Sequence, residues 1–190
     1  MRYSSNHKAE TRQRIIGEAA RRFRKDGIDG TGLVPLMKAL GLTHGGFYAH
    51  FPSKDALVEA SLAAATEQTL ERWRDPLDAA GLQAYLADYL SEAHRDDPGE
   101  GCPLPTLCAE LGLRGTPSPI ADGLAARLEA RLQPCTVAPR DGDQGIVALA
   151  TLIGAITLAR SVADPQASKR ILDAVHAAVQ APPAPDPAQG

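Results

Sequence analysis

Aromatic residues are scarce. Phe, Trp and Tyr make up 4% of the 190 residues, and Ala and Leu dominate, a mixture that favours helices over strands. Cysteine is also scarce. Cys102, Cys108 and Cys135 form no CxxC spacing, and an odd count argues against a disulfide framework. The opening residues, Met-Arg-Tyr-Ser-Ser-Asn-His-Lys, lack the apolar core of a signal peptide. The apolar stretch from Gly145 to Ala159 is shorter than the roughly 20 residues of a membrane span. These absences point to a cytoplasmic protein. No nucleophile–base pair stands out, which weighs against an enzyme, and no cofactor or metal is indicated.

What is present is an ordinary globular balance, 44% hydrophobic and 23% charged, with a lopsided charge distribution. Residues 1–54 hold ten Lys and Arg against four acids, a net +6, and the remainder carries −9. A basic head on an acidic body suits a polyanionic partner for the head alone.

Helical periodicity runs along most of the chain. Ile15, Ile16, Ala19, Ala20 and Phe23 predict a first helix over about 8–25, ended by Gly27. A second covers about 33–40, with Pro35 tolerable only in its first turn. A third covers about 44–50 and is stopped by Phe51-Pro52. Ser53 caps a fourth helix that runs to about residue 74. Further helices are expected over about 76–95, 103–113, 118–132, 144–162 and 165–180. The expected fold is therefore all-α with about nine helices. Its parts are a three-helix head (1–54), a larger body (55–180) and a proline-rich disordered tail (181–190).

Residues 41–54, Gly-Leu-Thr-His-Gly-Gly-Phe-Tyr-Ala-His-Phe-Pro-Ser-Lys, carry the most information. Gly41 supplies the positive φ of a sharp turn between two helices. Thr43 is placed to cap the short helix that follows, and Phe47 is its apolar anchor. His44, Gly45, Gly46, Tyr48 and His50 are left outward, beside a basic flank. This is the pattern of a DNA-binding helix-turn-helix. No Arg, Asn or Gln lies on that outward face, so the usual bidentate readers of guanine and adenine are missing. Lys38, thymine methyl contacts or DNA shape are left to supply specificity.

Residues 8–58 resemble the DNA-binding domain of the tetracycline-repressor (TetR) family. The resemblance rests on Thr11-Arg12-Gln13-Arg14-Ile15-Ile16, on Phe23-Arg24-Lys25-Asp26-Gly27, and on Gly41 through Leu57. Met37 and Pro35 depart from the family pattern in the second helix. The resemblance implies that Thr43, His44, Gly45 and Tyr48 lie in or beside a major groove, with Tyr48 and His50 also touching phosphate. It places Lys54 and Thr31 on backbone phosphates, and lets Arg2, Tyr3 and Lys8 form an arm along the duplex.

For the body, the resemblance implies an intersubunit four-helix bundle made by the last two helices. The helix over 144–162 is apolar nearly all round, so one small body cannot cover it. Candidate contacts are Ile146, Leu149, Ala150, Leu152, Ile153, Ile156, Ile171, Leu172 and Val175. The resemblance also implies an effector pocket, with Trp73, Leu77, Tyr85, Tyr89, Leu104, Leu107, Cys108 and Leu111 as candidate lining. Cys102, just before a helix start, is a candidate electrophile or oxidant sensor, because a helix N-terminus favours the thiolate. The expectation is a homodimeric, nucleoid-associated regulator, a repressor released from a palindromic double-stranded DNA operator by a small-molecule effector. The alternatives are the same regulator switched at Cys102, or an all-helical thiol-dependent enzyme.

Overall fold

A computed structural model describes residues 2–72, 78–135 and 142–180, and the side chains among these from Asn6 onward. Ten α-helices and one 3₁₀ turn account for the regular structure of the described residues. Packing divides the chain into two compact units. One takes the chain up to Thr69 together with Pro98–Ala121; the other takes Leu70–Asp97 and the chain from Asp122 on.

The first unit is built on α1 (Arg2–Gly30), α2 (Leu33–Ala39), α3 (His44–Phe47), most of α4 (Lys54–Arg72) and α7 (Leu104–Arg114). Helix α1 begins at Arg2, earlier than the periodicity predicts, so the segment expected as an arm is helical. Gly27 breaks it with φ 76°, as a glycine can at little cost. Pro35 lies in the first turn of α2, where a missing N–H breaks no helical bond. Gly41, at φ 71°, then reverses the chain. Its N–H donates to Lys38 O (3.0 Å) and that of Leu42 to Met37 O (2.9 Å), the two bonds of a Schellman motif. Ile15, Ile16, Phe23, Ile28, Leu36, Met37, Phe47, Phe51, Leu57 and Leu107 close one apolar core. Met37 is fully buried there, so the larger side chain at this position is accommodated by the core.

Helix α7 is tied to the end of α1 by polar bonds. The Glu110 carboxylate accepts from the backbone N–H groups of Ile28 and Asp29, both at 2.7 Å. Gly27 gives that carboxylate room; a Cβ there would lie 3.1 Å from Glu110 Oε2. Thr106 donates to Arg24 O (2.7 Å), and Arg114 pairs with Asp29.

The second unit holds α5 (Ala79–Tyr89), α6 (Glu92–Asp96), most of α8 (Pro119–Leu132), α9 (Gln144–Ser161) and α10 (Pro165–Ala178). The single helix predicted over 76–95 is two. The chain leaves helical geometry at Leu90–Ser91, and the Ser91 hydroxyl caps a new helix by accepting from His94 N–H (3.1 Å). This break raises the count from nine to ten. Arg160 on α9 donates to the carbonyls of His94 (2.7 Å) and Arg95 (2.9 Å), which fixes the end of α6. Ser168 on α10 donates to Ala159 O (2.7 Å).

Helix α9 is long and apolar enough, at mean hydropathy 1.4, to cross a membrane by length and composition alone. In the structure one of its faces lies in the core of the second unit, through Leu149, Leu152 and Ile156. Gly145 permits its start to approach α8 closely; a Cβ there would meet Glu129 O at 2.3 Å. Gly154, in contrast, faces open space. Gly145→Ala is therefore expected to lower stability by about 1–3 kcal/mol through overpacking. Gly154→Ala should match or exceed the parent, since Ala is the better helix former by about 1 kcal/mol. Urea unfolding of both variants checks the contrast.

Candidate nucleic-acid interface

Helix α3 has four residues, not the seven predicted. Gly45 and Gly46 are weak helix formers, and Pro52 forbids continuation. The chain tightens into i→i+3 turns instead, Ala49 N–H to Gly46 O (3.3 Å) and His50 N–H to Phe47 O (2.9 Å). Thr43 caps the helix as predicted, its hydroxyl accepting from Gly46 N–H at 3.2 Å. Phe47 is fully buried and stacks on Phe51, with ring centroids 5.7 Å apart.

The outward face follows from this seating. Thr43, His44, Gly45 and Tyr48 are all exposed. Tyr48 is 59% exposed, and its ring is braced edge-on by Phe47 (5.2 Å) and His44 (5.7 Å). Lys38 is exposed ten residues before it, and exposed Lys8 of the same unit lies close enough to His50 for its charge to act on that ring.

Other predicted contacts are engaged differently. Thr31 is 3% exposed, and its hydroxyl donates to Gly27 O at 2.7 Å. It holds the α1–α2 turn and presents no free side chain to a phosphate. Lys54 is half-buried, and its ammonium donates to Ile28 O at 2.6 Å, which leaves two of three N–H groups for a phosphate. His50 is half-buried, with Nδ1 buried and unpartnered. Desolvation, then the nearby charges of Lys8 and Arg12, holds its pKa below the ordinary imidazole value. It is a neutral ring at pH 7, with no charge to offer a phosphate. The Arg2 side chain lies outside the described residues.

Three residues were missed in the sequence. Arg14 donates to Leu40 O (3.1 Å) and so satisfies a C-terminal carbonyl of α2. Arg12 stacks its guanidinium 4.8 Å from the Phe51 ring centroid. Val34, which reads as core in an apolar helix, is 58% exposed. Its spacing of four from exposed Lys38 is the signal that could have placed it outward.

Residues 15–61, the core of this head, match the model of the bacterial regulatory proteins of the tetR family. The head of the chain is thus similar to the DNA-binding part of the tetR-family regulators. The chain is 30% identical over 114 residues to LmrA of Bacillus subtilis, described as an HTH-type transcriptional regulator; the match covers 57% of this chain and 61% of LmrA. The chain thus spans about three-fifths of that curated relative's length. A TetR transcriptional regulator from Chloroflexus aurantiacus shares the fold, with TM-score 0.72 at 23% identity, over 93% of this chain and 100% of that one. AibR, solved with isovaleryl coenzyme A and operator DNA, also shares it, with TM-score 0.59 at 18% identity, over 87% and 95%.

The residues that the TetR resemblance assigns to an effector pocket do not gather in one unit. Tyr85 and Tyr89 belong to the second, with ring centroids 5.8 Å apart. Leu104, Leu107, Cys108 and Leu111 belong to the first, where Leu107 is part of the core. Trp73 and Leu77 lie outside the described residues. A cavity of about 540 Å³ opens on α10, lined by Asp164, Gln166, Lys169, Arg170 and Asp173, and shares no residue with the expected lining.

Of the residues assigned to subunit contact, Leu149, Leu152, Ile156 and Leu172 are buried within the second unit. They are core residues of the chain itself, because a helix packed on one side must spend that side internally. Ile146 and Ala150 are exposed, and Ile153, Ile171 and Val175 half-buried. Val147 and Leu158 join the exposed face, at 40% and 52%. Cys102 is 2% exposed, and Cys135 is buried, its thiol pushed up to about 11 by desolvation; Cys108 is the exposed cysteine.

His94 is buried, its Nδ1 2.6 Å from Tyr89 O. A carbonyl only accepts, so Nδ1 carries the proton. Desolvation, foremost, holds its pKa below the usual imidazole value. The folded state therefore binds fewer protons than the unfolded one below about pH 6.5, and stability falls as pH drops through that value toward the folded pKa. His50 contributes in the same direction. The urea midpoint is expected to fall between about pH 7 and 5. A His94→Asn variant should show a shallower fall.

Proposed function

We propose that the chain is a homodimeric transcriptional regulator of the cytoplasm that binds a palindromic duplex operator, acting as a repressor that a small-molecule effector releases. The observation that carries the reading is the seated helix-turn-helix, with the face of His44, Gly45 and Tyr48 turned to solvent on the +6 part of the chain. AibR, a fold relative, is described with both operator DNA and an acyl coenzyme A, which supports a two-ligand protein of this kind.

Lys38 and Lys8 supply the salt-sensitive attraction, and the α3 face enters the major groove. Lys54 gives a phosphate one of its remaining N–H groups. Residues 1–54 act as the DNA-binding part and 55–180 as the effector and dimer part, a functional division distinct from the division by packing. The dimer forms through Ile146, Val147, Ala150 and Leu158 of α9, with Ile171 and Val175 of α10. A two-fold dimer presents two heads, and release requires only that the effector prefer the head spacing that does not fit the operator. Control through Cys102 is disfavoured by its burial, since a modifying reagent must reach the sulfur.

A gel shift on genomic fragments should show binding that weakens steeply with salt, and Lys38→Ala should lower the log–log salt slope by about 1. No shift even at low salt would sink the reading. Separately, Ile146→Asp combined with Leu158→Asp should give a folded monomer in sedimentation. A dimer that persists would place the interface elsewhere.

A further inference from the structure

Resting on the reading of the head as a duplex-DNA binder, we infer that it chooses its sequence chiefly through thymine methyl groups, with Val34 of α2 and Tyr48 after α3 as the apolar readers.

The major groove offers a protein two kinds of information. One is the pattern of donors and acceptors, and the other is the thymine C5 methyl. The exposed positions 43–45, 48 and 49 are Thr, His, Gly, Tyr and Ala, with no side chain that makes the bidentate pairs to guanine or adenine. The Thr43 hydroxyl accepts from Gly46 N–H, which leaves it a single O–H to donate and no bidentate pair to make. Among the described residues of α1 to α4, the large apolar side chains left in water are Val34 and Tyr48, 58% and 59% exposed. Both sit on the basic part of the chain. Val34 shares the outward stripe of α2 with Lys38, four residues on, while Leu36 and Met37 of the same helix face the core. A cation beside Val34 brings that stripe to a polyanion. On the groove floor the apolar group that rewards a valine is the thymine methyl.

Tyr48 is suited to the same task. Its ring is held by Phe47 and His44, so little side-chain entropy remains to lose on contact. Gly45, exposed and with open space where a side chain would be, lets the backbone beside Tyr48 approach the bases.

The test uses the full chain. Duplexes are selected from a random pool at low salt, and each thymine of the recovered site is replaced in turn by deoxyuridine, which removes the methyl and nothing else. At least one thymine per half-site should lose about fourfold in affinity, the worth of one buried methyl group. That penalty should vanish in Val34→Ala or in Tyr48→Ala, and Val34→Ala should leave the salt slope unchanged because no phosphate contact is lost. Val34→Thr, of nearly the same shape, serves as a second variant that weakens the methyl contact without a cavity. A selected site in which every deoxyuridine binds as well as thymine overturns the inference, as does a penalty that persists in both alanine variants. Absence of binding to any duplex at low salt overturns the DNA-binding reading itself, and this inference with it.

Discussion

A helix of four residues cannot hold itself together. Nucleation costs more than its few hydrogen bonds return. The presentation surface of this protein is such a helix, so its geometry is decided by what it is fastened to. Phe47 is that fastening. Buried completely among Ile15, Leu36, Met37 and Phe51, it sets the rotation of α3, and with it the outward direction of His44, Gly45 and Tyr48. The Schellman turn at Gly41 and the Thr43 cap fix the approach from one side, and Pro52 ends it on the other.

The same economy governs the polar groups around the head. Thr31, Arg14 and Lys54 each close a backbone carbonyl: Gly27, Leu40 and Ile28. Such carbonyls at helix ends have no helical partner, and a nearby side chain is the cheapest way to satisfy them. Glu110 does the converse for the two N–H groups that follow the Gly27 break. Cations and hydroxyls that look available for phosphate are partly spent on keeping the three helices in register. That leaves Lys38, six residues before α3, and Lys8, close enough to His50 for its charge to act on that ring, as exposed cations near the presenting face.

How much of this was legible depended on whether a residue's role was local. Gly27, Gly41, Thr43, Ser53 and Pro52 act on their own turn of chain, and their effects could be read directly from the order of residues. Val34 and Thr31 could not. A valine in an apolar helix and a threonine beside a glycine turn look alike whether they face water or the core; which one they face depends on residues far along the chain. Helix α5 was misread for a related reason. Leu90-Ser91 carries no glycine or proline; the Ser91 hydroxyl caps the new helix, and Arg160, some seventy residues later, holds its far end through the His94 and Arg95 carbonyls. In α9, an all-round apolar pattern cannot say which stripe the chain uses for its own core. The structure assigns Leu149, Leu152 and Ile156 inward and leaves Ile146, Val147 and Leu158 out.

By itself the sequence determined the all-helical class, the order of the helices and the identity of the DNA-binding motif. These rest on propensity, periodicity and turn chemistry, which act over a few residues. Only the tertiary structure decided which of those residues remain free to meet a partner. Exposure and the pairing of buried polar atoms are settled by contacts between segments distant in the chain, and no local pattern encodes them.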